Sequence, residues 1–280
     1  MPEIPDLNIF CSNLAKRLVG KKLSTIHIMV PRKLKEPEVG FKEALEGQEL
    51  TSIKRVGKLL YFGLGKSHIL GLHLMLYGSM HWYEGKNENK FTIADLLFSD
   101  GTGLAITGWQ KSVILTLDPI ISRVPDALEL KKGYLETALK KVNRPIKTVL
   151  TDGKVVQGIG NAYVDEILYA ASLSPFSIAS KIPEAKIQIL TKAIKKVLPD
   201  AEAHILENFP DTITEKERDF LKVHRPKHKR HLTARLFSSL RSPHGRLIIP
   251  KGKSYSNRVE IMMNETTLFR RKLTHCFGAN

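Results

Sequence analysis

The chain is poor in cysteine, in acidic residues and in long apolar runs, and each shortage closes off a class of protein. Two cysteines in 280 residues, Cys11 and Cys276, with no Cys-x-x-Cys pair, exclude a disulfide scaffold and fit a reducing compartment. No apolar run is long enough to cross a bilayer and no signal peptide is evident, so a cytoplasmic protein without membrane partners is expected. Repeats and low-complexity segments are absent too, which excludes a solenoid. The 42% hydrophobic content is enough for a real core and for two modest domains.

Acidic residues number 28 against 44 Lys and Arg, a formal net charge of +16. That balance points to a polyanionic partner, of which nucleic acid is the commonest. The excess is concentrated. Residues 222–272 hold 14 Lys or Arg against only Glu260 and Glu265, so +12 of the +16 lies there. A focused footprint of this kind differs from a uniform solubilising coat.

Hydrophobic spacing divides the chain. Leu7, Phe10, Leu14 and Leu18 recur at helical intervals before Gly20, predicting a helix from Asp6 to about Val19 that holds the N-terminus against the body. From Lys22 to about Leu117 the pattern turns to strands, KLSTIHIMV, LLYFGLG, ILGLHLML, FTIADLLF and SVILTL, with a short helix near Phe41 to Leu45. A β-sandwich or barrel follows. Beyond Pro119, helices are predicted at Tyr134 to Val142, Ile146 to Leu150, Ala162 to Leu173 and Pro183 to Leu198, and strands return after about residue 232.

Two short motifs carry chemistry. The chain begins Met1-Pro2-Glu3; removal of Met1 would leave a secondary amine beside a carboxylate. An α-amine titrates near 7.7 to 8, far below Lys, so part of it is a neutral nucleophile at neutral pH. Many chains begin Met-Pro without chemical consequence, so this motif needs support from elsewhere. The second motif is Lys154-Val-Val-Gln-Gly-Ile-Gly-Asn-Ala-Tyr163. Gly158 and Gly160 permit a sharp turn, Asn161 suits a helix cap, and free amides at the helix start beside Lys154 would hold a phosphate. A glycine turn that merely caps a helix is the plainer reading of an isolated Gly-x-Gly-Asn.

Taken together, MPEIPDL, Arg55-Val56-Gly57-Lys58-Leu59-Leu60, His73 with Tyr77-Gly78, and Lys154-VVQGIGNAYVDEILYAASLSP175 resemble the Fpg/Nei family of bifunctional DNA glycosylase/AP lyases. Their order and spacing agree along most of the chain. The resemblance implies an α+β multidomain fold. Its parts would be an N-terminal β-sandwich over 1–125, a helix-two-turn-helix domain over 126–232 and a C-terminal zinc-less antiparallel β finger over 233–280. It also implies that Pro2 attacks C1′ of a damaged nucleotide everted from the stack. Glu3 would protonate the sugar ring oxygen, and the Schiff base would then undergo β- and δ-elimination. Lys58 would stand at a strand turn close to the phosphate. Lys154, Gly160 and Asn161 would grip flanking phosphates, and His73 the backbone nearby. The partner implied is damaged DNA, expected as duplex, with the protein acting as a monomer.

Departures from the pattern bear on substrate choice. The loop that supplies Arg and Phe in Fpg-type members reads Gly108-Trp109-Gln110-Lys111-Ser112, while Leu76-Tyr77-Gly78 resembles the Nei branch. Met75, Leu76 and Tyr77 are therefore the candidates for filling the gap left by the everted base. Oxidised purine and oxidised pyrimidine both stay open. The four-cysteine zinc set of many relatives is missing, so no metal or other cofactor is expected. Ser238-Ser239-Leu240-Arg241 followed by His244-Gly245-Arg246 resembles a zinc-free finger, with Arg246 as the turn residue entering the minor groove. Two other classes compete: a damaged-DNA-binding protein that lost catalysis, and a small-molecule enzyme with an N-terminal proline base. Intact Pro2, Glu3 and Lys58 weigh against the first, and the basic tail against the second.

Overall fold

A computed structural model of the chain describes residues 1–224 with the exception of 32, 33, 35 and 36. The expected finger over 233–280, its turn residue Arg246 and the basic run beyond His224 lie outside the described residues.

The first helix, α1 (Ile4–Leu18), starts two residues earlier than its apolar spacing predicts. Pro5 sits in the first turn, where a missing N–H leaves no bond unmade. The Asp6 carboxylate accepts the Glu3 amide at 2.8 Å and closes the helix start. Beyond the other end, Gly20 adopts the left-handed conformation that stops the run (φ 89°).

Next comes the expected sandwich. Its strands are β1 (Leu23–Ile28), β2 (Leu50–Val56), β3 (Leu59–Leu64), β4 (His68–His73), β5 (Ser79–Glu84), β6 (Thr92–Phe98), β7 (Thr102–Thr107) and β8 (Ile114–Leu117), with α2 (Glu38–Leu45) between β1 and β2. They form two four-stranded antiparallel sheets, ordered β1-β6-β7-β5 and β2-β3-β4-β8. Three strands were not among those predicted. The LTSIKRV of β2 and the SMHWYE of β5 are too polar to announce themselves, and the TGLAIT of β7 has a glycine at its second residue. What makes β7 a strand is its pairing with β5 on one side and β6 on the other.

A helical unit follows: a 3-10 turn at Ala127–Glu129, α3 (Tyr134–Leu139), α4 (Ile146–Thr151), α5 (Asn161–Ala170), a second 3-10 turn at Ala179–Lys181, and α6 (Glu184–Asn208). The segment joining α4 to α5 turns twice, with Gly153 (φ 72°) and Gly158 (φ 92°) both left-handed. Two hydrophobic clusters result, one inside the sandwich and one among the helices. Helix α1 belongs to both, because Ile4 packs in the helical cluster while Leu7, Phe10, Leu14 and Leu18 pack in the sandwich.

The last helix overruns its predicted end. Pro199 should stop it near Leu198, yet α6 continues to Asn208 with the proline inside. Tertiary contacts outweigh the local penalty: Ala201 and Ile205 are buried, and Asn8 on α1 donates to the Glu202 carboxylate at 2.6 Å. Farther on, Asn13 donates to the Pro210 and Thr212 carbonyls at 2.7 and 2.9 Å. Among the described residues no helix is long and apolar enough to cross a membrane.

Because Pro199 is exposed and is carried at a cost, Pro199→Ala should raise the unfolding free energy by about 1–3 kcal/mol in urea titration. A lower midpoint would mean that the proline supplies a bend on which the α1–α6 contact depends.

Candidate active site

The Glu3 side chain, only 3% exposed, reaches into the start of α5. One carboxylate oxygen accepts the Gly160 and Tyr163 amides at 2.8 and 3.3 Å, and the other accepts the Ala162 amide at 2.9 Å. A helix start offers unpaired N–H groups and positive potential, which suits a carboxylate as well as a phosphate. The expectation that these amides are free for a phosphate is therefore corrected. Gly160 is buried, its N–H is already taken, and it is the N-cap itself, while Asn161 is the first helical residue rather than the cap. Gly160 serves as the floor under Glu3: a Cβ added there would fall on the Glu3 carboxyl group, and one at Gly158 would fall on the Ile4 side chain.

Asp6 fixes this segment from the other side. It is fully buried and takes a bidentate pair from Arg218, at 2.7 and 2.6 Å, while also accepting the Glu3 amide. The Arg218 guanidinium lies over the Tyr163 ring, 5.0 Å from its centroid, and donates to the Tyr163 hydroxyl at 3.3 Å. Burial and the Asp6 charge push the Tyr163 phenol up; burial lowers Arg218, but the Asp6 hydrogen bond and the charges of Asp6, Tyr163 and Glu3 together hold it above its usual value. Pro2 is buried beside Glu3, its nitrogen an amide while Met1 remains. The Met1 amine is lowered to about 6, first by burial and then by the Lys216 charge, with Glu3 opposing. Lys216 also donates to the Gly78 carbonyl at 3.2 Å.

Lys58 follows Gly57 (φ 59°) in the two-residue turn between β2 and β3, where Val56 pairs with Leu59. Its pKa is lowered by burial, against the pull of the Glu3 charge. Arg55 braces this hairpin. It donates to Asn8 on α1, to the Gly57 carbonyl at 3.0 Å and to both oxygens of Asp126 at the entry to the helical unit. His73, at the end of β4, accepts the Met75 amide on Nδ1 at 3.1 Å; burial lowers its pKa and the Lys58 charge lowers it further. Thus the predicted Pro2, Glu3, Lys58 and His73 are brought together.

The remaining predicted residues lie farther out. Met75 is half-buried with left-handed backbone (φ 55°), whereas Leu76 and Tyr77 are 54% and 40% exposed. Lys154 and Asn161 are exposed at the two ends of the α4–α5 turn. Arg246 lies outside the described residues. Asp6 and Arg55, which lie inside the quoted motifs without a role assigned there, belong to the site, as do Asp126, Lys216 and Arg218, which carry no sequence signal of their own. Glu166 is a sixth, a buried carboxylate that accepts the Lys222, Val223 and His224 amides at 3.0, 2.6 and 2.9 Å.

Comparison with known proteins bears on this geometry. Residues 1–112 match the model of the formamidopyrimidine-DNA glycosylase N-terminal domain, and residues 121–206 that of the formamidopyrimidine-DNA glycosylase H2TH domain. The chain is 32% identical over 207 residues to a formamidopyrimidine-DNA glycosylase of Carboxydothermus hydrogenoformans, covering 71% of this chain and 76% of that protein. It is 33% identical over 218 residues to one of Enterococcus faecalis, at 72% and 76% coverage. Among solved structures it is similar to Lactococcus lactis Fpg in complex with abasic-site DNA, with TM-score 0.66, 26% identity and coverage of 72% and 79%. It is also similar to MutM in complex with DNA containing carbocyclic 8-oxo-G, with TM-score 0.66, 28% identity and coverage of 72% and 81%.

The Asp6–Arg218 pair sets a stability test. Asp6→Ala leaves a buried guanidinium unpaired and should cost about 3–5 kcal/mol in urea unfolding. Adding Arg218→Met should restore most of that loss, and a double variant no more stable than Asp6→Ala would refute the assignment.

Proposed function

The chain belongs to the formamidopyrimidine-DNA glycosylase (Fpg/Nei) family, and from that membership we infer that Pro2, freed of Met1, is its nucleophile. The protein is a DNA glycosylase of DNA repair and binds DNA. The observation that carries the mechanistic reading is the convergence of a depressed N-terminal amine, Glu3 and Lys58 at the start of α5.

The pocket suits an amine nucleophile. Burial first and the Lys216 charge next lower the Met1 amine, and removal of Met1 would leave the Pro2 nitrogen buried beside Glu3, where burial again disfavours the charged amine. The Pro2 nitrogen would attack C1′ of the everted nucleotide as the C1′–base bond breaks; the base would depart with a proton taken from water, and the proton shed by the Pro2 nitrogen would pass to Glu3. A carboxylate has about four acceptor positions, and protein amides fill three of those on Glu3. The remaining one is the position from which Glu3 would pass a proton to the sugar ring oxygen. Opening of the sugar leaves an iminium between Pro2 and C1′. Loss of a C2′ proton then expels the 3′ phosphate, and δ-elimination expels the 5′ phosphate.

Lys58 would meet a phosphate close to the reacting sugar, with His73 holding the backbone beside it. Lys154 and Asn161 would grip flanking phosphates with their side chains, now that the α5 amides are committed to Glu3. The DNA partner is read as duplex carrying an oxidised base, and the enzyme as a monomer. No metal enters this chemistry, because side chains and the terminal amine supply every group that the steps require. Arg246 keeps its proposed place as the minor-groove residue of a zinc-less finger.

The test is borohydride trapping on abasic-site DNA with correctly processed protein. A covalent adduct should form, Pro2→Gly should lose or greatly weaken it, and its rate should rise at a pH below the roughly 7.7–8 of an ordinary α-amine. Processed protein that binds DNA yet traps no adduct would favour the non-catalytic alternative. A panel of duplexes carrying one oxidised purine, one oxidised pyrimidine or one abasic site then separates the two half-reactions. Cleavage of the abasic duplex alone would remove the oxidised-base substrate.

A further inference from the structure

We propose that Lys216 is a positioning residue of the reaction: its ammonium, held on the Gly78 carbonyl, places a cation beside the nucleophilic amine and favours the neutral, attacking form. This role rests on the reading of Pro2 as nucleophile and deepens it. Lys216 lies half-buried in the segment after α6, and its Nζ donates to the Gly78 carbonyl at 3.2 Å. Among the described residues it makes no ion pair; the Asp6 charge reaches it, but both Asp6 oxygens are committed to Arg218 and one of them also to the Glu3 amide. A lysine that gives up water and rotamer freedom for one neutral carbonyl burdens the fold, and folding alone gives no reason for it.

Both ends of this contact are fixed. Gly78 donates to the Leu74 carbonyl at 2.9 Å, and a Cβ there would fall 2.1 Å from that carbonyl oxygen and 2.7 Å from the Val113 side chain, so the turn after β4 is closed without slack. On the other side, Arg218 takes Asp6 in a bidentate pair, and Asp6 accepts the Glu3 amide at 2.8 Å. The 216–218 segment is thereby strapped to the first turn of α1, and Lys216 carries the strap on to Gly78. An ammonium held in this way keeps a defined place near the N-terminus instead of extending into solvent.

Charges of both signs surround the terminal amine. After burial, Lys216 is the largest influence and lowers it; Glu3 then raises it, Arg218 lowers it and Asp6 raises it. Lys58 on the β2–β3 turn and His73 at the end of β4 complete the set, and the Lys58 charge and the amine both act on His73. Lys216, and not the lysine of the strand-turn motif, is therefore the leading charge on the amine. Removal of Met1 moves the free amine to the adjacent Pro2 nitrogen, buried beside Glu3, and a charge in a poorly solvated site acts beyond contact distance. A neighbouring cation activates an amine nucleophile because like charges disfavour each other. Without Lys216, Glu3 and Asp6 would be opposed only by burial and by an arginine that is already paired.

The experiment is cyanoborohydride trapping of processed full-length protein on saturating abasic-site DNA, followed from about pH 5 to about pH 9. Lys216→Met removes the positive charge, which raises the amine, so the pH at which the trapping rate rises should move up by about half a unit to one unit. Below both midpoints the rate should fall by about threefold to tenfold, and well above them it should match wild type. Lys216→Arg keeps the charge and a donor for Gly78 and should restore the wild-type profile, which it could not do if Lys216 served as a proton acceptor. Should Lys216→Met fail to fold by circular dichroism, Lys216→Gln removes the same charge and is read in the same way. An unmoved midpoint in the uncharged variant overturns the role, and if DNA binding then weakens with a shallower salt dependence, Lys216 is a phosphate contact instead. A Lys216→Arg profile that matches the uncharged variant overturns it as well. Processed wild type that binds DNA and traps no adduct removes the Pro2 reading and this role together, whereas an adduct with an unmoved midpoint removes the role alone.

Discussion

The Glu3 carboxylate takes three N–H bonds from the start of α5, and that contact ties the N-terminus to a helix about 160 residues away in sequence. A buried carboxylate without partners would be too costly to keep. Helix starts are among the few places in a protein that offer several convergent amides. Once Glu3 is fixed there, Gly160 must lack a side chain, Ile4 must pack against Gly158, and α1 must begin where it does. The sandwich and the helical unit then meet across α1, whose first turn belongs to one core and whose remainder belongs to the other.

Around that anchor the site gathers cations. Lys58 arrives on a strand turn, while Lys216 and Arg218 arrive on the segment after α6, and Glu3 and Asp6 oppose them. Burial first, and then the Lys216 charge, lower the terminal amine, and the gathered cations suit a phosphate-bearing ligand. Arg218 is paired with Asp6 and, with Lys216, still disfavours a charged terminal amine, while the Lys58 charge acts on His73.

Much of the fold could be read from one dimension. The apolar and β-branched runs in β1, β3, β4, β6 and β8 and the helical spacing of α1 are local patterns that tertiary contacts only reinforce. Strands β2, β5 and β7 were illegible because their polar or glycine-bearing sequences become strands through their neighbours. Pro199 misled for the opposite reason: a strong local stop signal was overridden by burial of Ala201 and Ile205 and by the Asn8–Glu202 bond.

The site divides in the same way. Pro2 and Glu3 could be named from the sequence because the start places an amine beside a carboxylate, and Lys58 because its motif joins the others in the family resemblance. Lys154 and Asn161 were legible for the same reason. Asp6, Arg55, Asp126, Lys216 and Arg218 could not be given roles, since each acquires meaning only from a partner distant in the chain. The Gly-Ile-Gly-Asn turn shows the difference most sharply. Its sequence announces a helix start with amides to offer, and that start is real; which anion they hold was decided by folding. The intramolecular carboxylate of Glu3 arrives with the chain already closed around it, and so it occupies the place that sequence reasoning reserved for a phosphate.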